Sequence, residues 1–296
     1  MNAFLAVDLP ALLAALLALI ACGSLGNWLV LRREAMTADA ISHAVLPGLV
    51  CGFLVTGTRS PAAMLAGAAI AGVASVLMAR IVRRRARTDA GTALGIVFTA
   101  MFALGVALLE TQGARQVDLD PECVLFGSLE SMFVVQAPGA SWLSALPPAL
   151  WVLAAAAVAA LAFSAFLAKE LSALAFDHAF ARQSGAAPRW LEPALLCMAS
   201  AAIVVSFEAV GSVLVIALVA CPALAAAPFA RSATHQLALG LAIALPLAAL
   251  AYLAAAHAPA MFGTRTALNA SGMIALFLAL SVPGAHFARA LIRRQA

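Results

Sequence analysis

Charge-free apolar runs long enough to cross a bilayer recur along the whole chain. They lie at Leu9–Leu31, Ala40–Thr58, Ser60–Ala79, Ala90–Leu109, Ser131–Ala168, Ala209–Ala230, Ser232–Thr264 and Thr266–Ala288. Most reach the roughly 20 residues that a helix needs to span the hydrocarbon layer. Inside lipid no water is available to satisfy backbone N–H and C=O groups, so a spanning segment must be a helix or part of a closed barrel. Barrel strands would alternate apolar and polar side chains at every second residue, and no such alternation is present. Hydrophobic residues reach 65% and charged ones only 10%, a balance far from that of a water-soluble domain. The sequence predicts an all-α polytopic membrane protein, with residues 1–296 forming one transmembrane domain.

The basic residues orient it. Arg32 and Arg33, Arg80 with Arg83, Arg84, Arg85 and Arg87, Lys169 with Arg182 and Arg189, Arg231, and Arg289 with Arg293 and Arg294 fall in alternate connections. Only Arg59, Arg115 and Arg265 fall in the intervening ones. Because positive residues accumulate on the cytoplasmic side, this alternation predicts an outside N-terminus, about nine spans and a cytoplasmic C-terminus. The formal net charge of +4 then describes a basic cytoplasmic face rather than a nucleic-acid surface. The N-terminal "MNAFLAVDLP" has no basic residue before its apolar run, so the first span is expected to be retained. Five cysteines, Cys22, Cys51, Cys123, Cys197 and Cys221, form no close pair and predict neither a disulfide framework nor a zinc motif.

Spans are expected near residues 9–31, 40–57, 61–79, 91–109, 142–168, 191–207, 211–229, 236–256 and 268–288. Residues 123–137 carry Glu130 and read as a short helix dipping in from outside, while Glu208 and Gly211 mark a tight outer turn between two spans. Gly48/Gly52 and Gly91/Gly95 stand at helical spacing that permits close packing. Pro47, Pro222, Pro246 and Pro283 each free a carbonyl one turn earlier.

Three places carry chemistry. In "DAISHAVLPG", Asp39 and His43 share one helical face, and Pro47 cannot donate to the His43 carbonyl. A carboxylate, an imidazole and a freed carbonyl suit a divalent metal such as Mn²⁺ or Zn²⁺. The same residues also read as a helix cap and a packed histidine. Glu208 either lines a passage or sits hydrated at the outer turn. The outer loop, with Asp118, Asp120 and Glu122, either attracts cations or is simply solvated. In the longest inner loop, residues 176–185 read as a short helix that Asp177 caps and Gly185 stops. No phosphate-binding loop, zinc-protease pair or serine-hydrolase elbow appears in the sequence.

Five stretches in this order, "LRREAMTADAISHAVLPG", "TDAGTALGIVFTAMFALGVALL", "VDLDPECVLFGSLE", "FDHAFARQSG" and "VSFEAVGSVLVIALVACPALAA", resemble the membrane permease subunit of ATP-binding-cassette importers for manganese, zinc or iron. The resemblance extends in architecture to vitamin B12 and siderophore permeases. It implies a bacterial cytoplasmic-membrane protein with no permanently bound cofactor. It also implies a second permease copy (homodimer or related subunit), two cytoplasmic ATPase subunits that bind ATP, and an extracytoplasmic metal-binding protein. Asp39 and His43 match the family's second-span motif, which implies a metal path with Glu208 further along it. "FDHAFARQSG" is similar to the coupling helix, which implies ATPase contact through Phe176, Asp177, Phe180, Arg182 and Gly185. Here His178 and Gln183-Ser184 depart from the family's more usual residues. The rival reading, a gradient-driven secondary metal transporter, expects two inverted halves with paired broken helices, and none is evident.

Overall fold

The computed structural model describes residues 8–57, 61–109, 129, 146–177, 181, 183–261 and 268–295. The elements are α1 (Leu9–Leu31), α2 (Met36–Thr56), α3 (Pro61–Ala86), α4 (Ala90–Leu109), α5 (Pro148–Phe166), α6 (Ala168–Phe176), α7 (Leu191–Val210), α8 (Ser212–Ala226), α9 (Ala233–Met261) and α10 (Ala270–Gln295). Among the described residues, eight helical segments are long and apolar enough to cross a membrane, and α2 adds the shorter apolar stretch Leu46–Thr56. These nine segments fall at the nine spans expected from the sequence. The re-entrant segment expected at 123–137 lies outside the described residues except for Leu129, which is buried in the core.

α1 is the central helix. It packs against α5, α7, α8 and α9, with Ala14, Ala18, Leu19, Leu25, Trp28 and Leu29 fully buried. Its residues Gly23 and Gly26 let α8 approach backbone to backbone. A Cβ on Gly26 would overlap the Val219 carbonyl, and one on Gly23 would press on Leu241 and Pro222. A second group, α2, α3 and α4, is built the same way. Gly48 and Gly52 of α2 lie against the Gly67 and Ala63 carbonyls of α3, so the spacing seen in the sequence is used. Gly95 has open space around it and Gly91 meets only the Asp89 carboxylate. That second pair does not mediate a helix contact within the chain.

Helices depart from the expected spans mainly at their inner ends. α3 runs on to Ala86 because arginines are good helix formers and favour a helix C-terminus, where the dipole is negative. α2 starts at Met36, with Ala35 as its N-cap and no side-chain cap bond. Asp39 therefore lies a full turn inside the helix, and its reading as the cap is set aside. The residue that does cap a span is Asp89. Its carboxylate accepts from the Thr92 hydroxyl at 2.6 Å and the Thr92 amide at 3.0 Å, closing the first turn of α4. These bonds hold the Asp89 carboxyl below its ordinary value, the hydroxyl bond contributing most. Their stabilisation is therefore present above the ordinary carboxylate range and is lost as pH falls through the lowered value.

α7 and α8 are separated by Gly211 alone, whose φ of 82° and ψ of 164° suit a residue without Cβ. The two helices diverge from this point, and α1 contacts both of them. Pro222 interrupts α8, and the nearby Ala223 carbonyl accepts from the Gln236 amide at 3.0 Å. Asn27 of α1 donates to the Ala233 carbonyl at 3.2 Å. Buried polar groups thus join neighbouring helices where a lone one would be costly.

At its C-terminal end α1 stops in a Schellman turn. Arg33 takes φ 60°, and the amides of Arg33 and Glu34 reach back to the Val30 and Leu29 carbonyls. This turn sets Arg32 and Glu34 side by side at 3.2 Å. Glu192, in the first turn of α7, accepts from Arg32 at 3.2 Å and from Arg80 of α3 at 2.7 Å. One carboxylate therefore ties α1, α3 and α7 together.

Two stability predictions follow from this packing. Gly26→Ala forces α1 and α8 apart and lowers detergent stability by about 1–3 kcal/mol, whereas Gly284→Ala, with open space around it, is neutral or slightly stabilising. Equal melting temperatures for the two variants would contradict the close α1–α8 contact. Glu192→Gln weakens the compensation of Arg32 and Arg80. Its loss falls between the exposed-pair value of about 1 kcal/mol and the buried-pair value of about 3–5 kcal/mol. A thermal unfolding curve indistinguishable from wild type would contradict the tie.

Candidate functional site

α2 and α4 together position the central candidate residue. Pro47 of α2 bears on Gly105 of α4, where a Cβ would stand 2.9 Å from the proline Cδ. The absence of a side chain at Gly105 lets the two helices lie close there. One turn earlier on α2, His43 meets the rings of Phe98 at 4.5 Å and Phe102 at 5.6 Å, both edge to face. Phe98, Phe102 and Gly105 follow the i, i+4, i+7 spacing of one helical face. His43 is half-buried and Phe102 exposed, so the imidazole sits in an aromatic cradle at the margin of the chain rather than in its core. Ring edges on two sides restrain the imidazole's orientation.

Asp39 belongs to the same helix, one turn from His43; its side chain lies outside the described residues. Glu208 is in the last turn of α7 with an exposed side chain, directly before the Gly211 break. Counted from the starts of α2 and α7 at 1.5 Å per residue, Glu208 lies about 15 Å further along its helix than His43 does along its own. The structure does not bring them to one place. Asp118, Asp120 and Glu122 lie outside the described residues. Among the described residues no three His, Cys, Asp or Glu side chains converge as a metal cage.

The inner loop divides differently from the sequence expectation. Phe176 is the last residue of α6, 74% exposed, and Asp177 is extended at φ −146° and ψ 97°. A new turn starts there, since the Ala181 amide donates to the Asp177 carbonyl at 2.9 Å. Ala181 is fully buried, and Gly185 adopts φ 71°, which breaks the chain direction. Phe180 and Arg182 lie outside the described residues. Phe176 therefore precedes the short turn instead of forming part of it, because the backbone changes course at Asp177.

Sequence reasoning missed Phe98 and Phe102, although their spacing with Gly105 was readable in "GIVFTAMFALG". It also missed Glu192, whose signal was a carboxylate opening an apolar run just after Arg189. Contact between α2 and α4 could not be inferred from either segment alone.

Comparison with known proteins supplies a family. The sequence profile of the ABC 3 transport family matches residues 6–282. The chain is 34% identical over 216 residues to "Zinc transport system membrane protein TroD" of Treponema pallidum, covering 73% of this chain and 58% of that protein. It is 36% identical over 214 residues to "Manganese transport system membrane protein MntD" of Bacillus subtilis, covering 70% of this chain and 69% of that one. The matched region thus spans somewhat more than half of the treponemal relative's length. Among solved structures, "PsaBC from Streptococcus pneumoniae in complex with Fab" is similar in fold, with a TM-score of 0.73 at 23% identity, covering 94% of this chain and 90% of that one. With its apolar helices, its second-span motif and its match over nearly the whole length, the chain belongs to the ABC 3 transport family.

Proposed function

We propose that this protein is the membrane subunit of an ATP-driven importer for a divalent transition-metal ion, Mn²⁺ or Zn²⁺ and by the same ligand chemistry Fe²⁺. The observation that carries this reading is the placement of His43. The histidine of the family-like motif stands on a proline-kinked helix, held by two phenylalanine edges at the margin of the chain. A borderline metal ion favours a neutral imidazole nitrogen, with carboxylate and carbonyl oxygens completing its shell.

A transport pathway must bind its ion weakly enough to release it. One protomer offers Asp39, His43 and the carbonyl freed by Pro47, a sparse set for tight binding. A second copy facing the first would bring another carboxylate and imidazole to a shared path. Glu208, nearer the outer end of α7, is then a separate station on entry. Asp118, Asp120 and Glu122 would meet the delivering extracytoplasmic protein, where an acidic surface suits a cation carrier.

The chain itself carries no phosphate-binding loop, so ATP is bound by cytoplasmic ATPase subunits. The segment from Phe176 through Gly185 would meet them, with the exposed Phe176 and Asp177 at its start and the Arg182 position within it. Membrane spans with basic inner ends place the protein in the bacterial cytoplasmic membrane. The metal is a passing substrate in this reading, not a resident cofactor.

The test is metal uptake into vesicles that contain the chain with its ATPase, loaded with ATP or energised only by an ion gradient. His43→Ala and Asp39→Ala are expected to reduce uptake by roughly tenfold or more, since even outer-shell changes cost metal sites about 10–100-fold. ATP hydrolysis should remain within about twofold of wild type. Phe98→Ala, which leaves the imidazole but removes a ring beside it, is expected to have an intermediate effect. Full uptake in both His43→Ala and Asp39→Ala would move the path elsewhere, and uptake driven by a gradient without ATP would replace the ATP-driven mechanism with a secondary one.

A further inference from the structure

The ends of α1, α3 and α6 border an open groove of about 800 Å³, whose arginine wall the transport reading does not use although Phe176 of the proposed ATPase-facing segment also borders it. Its walls carry Arg32, Arg80, Arg83, Arg84 and Arg87 against only Glu34 and Glu192. One oxygen of each carboxylate is engaged with Arg32 or Arg80, so among the described lining residues five guanidinium groups stand against two carboxylates. Such a cluster repels itself unless an anion is present. Arg87 takes φ 52°, a left-handed turn that brings it and Thr88 onto the groove wall directly after α3. Arg32, with a side chain only 7% exposed, and Thr88 each keep one buried polar atom with no hydrogen-bond partner, Nη1 and Oγ1 respectively. Glu34 Oε2 on the same wall is likewise buried without a partner among the described residues.

A second feature identifies the kind of anion. Arg80 also borders a small cleft between α3 and α7, lined by Val73, Val76, Leu77, Pro193, Leu196 and Cys197. Its surroundings are almost wholly apolar, and Leu77 and Cys197 are exposed where the protein meets the hydrocarbon layer. The arginine groove and the apolar cleft therefore meet at Arg80. A soluble phosphate would fill the first and leave the second empty. A molecule with a phosphate and an attached alkyl chain would touch both.

We propose that this site binds an anionic membrane phospholipid. Its phosphate and headgroup rest among Arg80, Arg83, Arg84 and Arg87, and one acyl chain follows the cleft between α3 and α7. Basic residues at a membrane's inner surface attract anionic lipid generally; the groove adds bidentate guanidinium geometry and a defined place for the chain. The lipid would brace the junction of α1, α3 and α7 that Glu192 holds.

The experiment is native mass spectrometry of the full chain purified in detergent, titrated with phosphatidylglycerol, with phosphatidylcholine, or with inorganic phosphate. Wild-type protein is expected to retain phosphatidylglycerol in preference to phosphatidylcholine. Arg83→Gln with Arg87→Gln is expected to weaken phosphatidylglycerol binding about tenfold or more. Arg85→Gln with Arg293→Gln removes the same charge outside the groove and should leave binding unchanged. Arg83→Lys with Arg87→Lys, which keeps the charge but not the forked donors, should restore part of it and controls for misfolding. The proposal is overturned if the two lipids bind alike, or if both glutamine pairs weaken binding equally. It is also overturned if inorganic phosphate displaces the lipid completely, which would mark a free-anion site. Loss of lipid binding when the ATPase subunit assembles would overturn it in favour of a protein-docking face.

Discussion

Satisfaction of the backbone in a solvent that offers no hydrogen bonds is the constraint on which this structure rests. Each spanning segment must be helical, and once that is settled, stability comes from how closely the helices pack. The hydrophobic effect gives little preference for one helix contact over another within lipid. Discrimination therefore falls to small residues and buried polar pairs. Gly26 against Val219, and Gly48 against Gly67, let backbones meet directly and maximise dispersion contacts. Asn27 and Gln236 bond carbonyls of neighbouring segments, which gives those contacts direction.

The same constraint explains where departures from regular helix fall. Pro47 and Pro222 occur where another helix lies close, and Gly211 separates α7 from α8 at a point that lets them diverge beside α1. Each irregularity is supported by packing on at least one side. The proposed path uses one of them: Pro47, packed against Gly105, stands one turn after His43, whose ring meets Phe98 and Phe102. At the inner end, Glu192 collects three helices by charge rather than by packing, next to a groove with a surplus of arginine. The candidate path and the arginine groove thus use two different physical devices of one fold.

Much of the fold was legible because lipid imposes a coarse rule. Segment length, apolarity and basic flanks sufficed to place α1, α4, α7 and α9 within a few residues. The errors came where the rule weakens. α3 and α10 run beyond the apolar limit because a helix ends by capping and propensity, not at the membrane surface. The α2 start at Met36 left Asp39 inside the helix, which spacing alone could not decide. Of the candidate site, His43 was visible as an ionisable residue in an apolar run. Its aromatic neighbours on α4 were not, since they lie more than fifty residues later in the chain.

The sequence by itself determined the solvent this chain inhabits, the helical form of its segments, and the residue types available for binding a metal ion. Those properties depend on local composition and on distances along one chain segment. Tertiary structure decided which glycines are used, where Gly48 serves and Gly95 does not, and which side chains surround His43. It also decided that Arg32, Arg80 and Glu192 meet, and that Arg83 and Arg87 share one groove with an apolar cleft beside it. Such relations depend on helix crossing and rotation, which are set by all the neighbouring surfaces at once and so are written in no single segment.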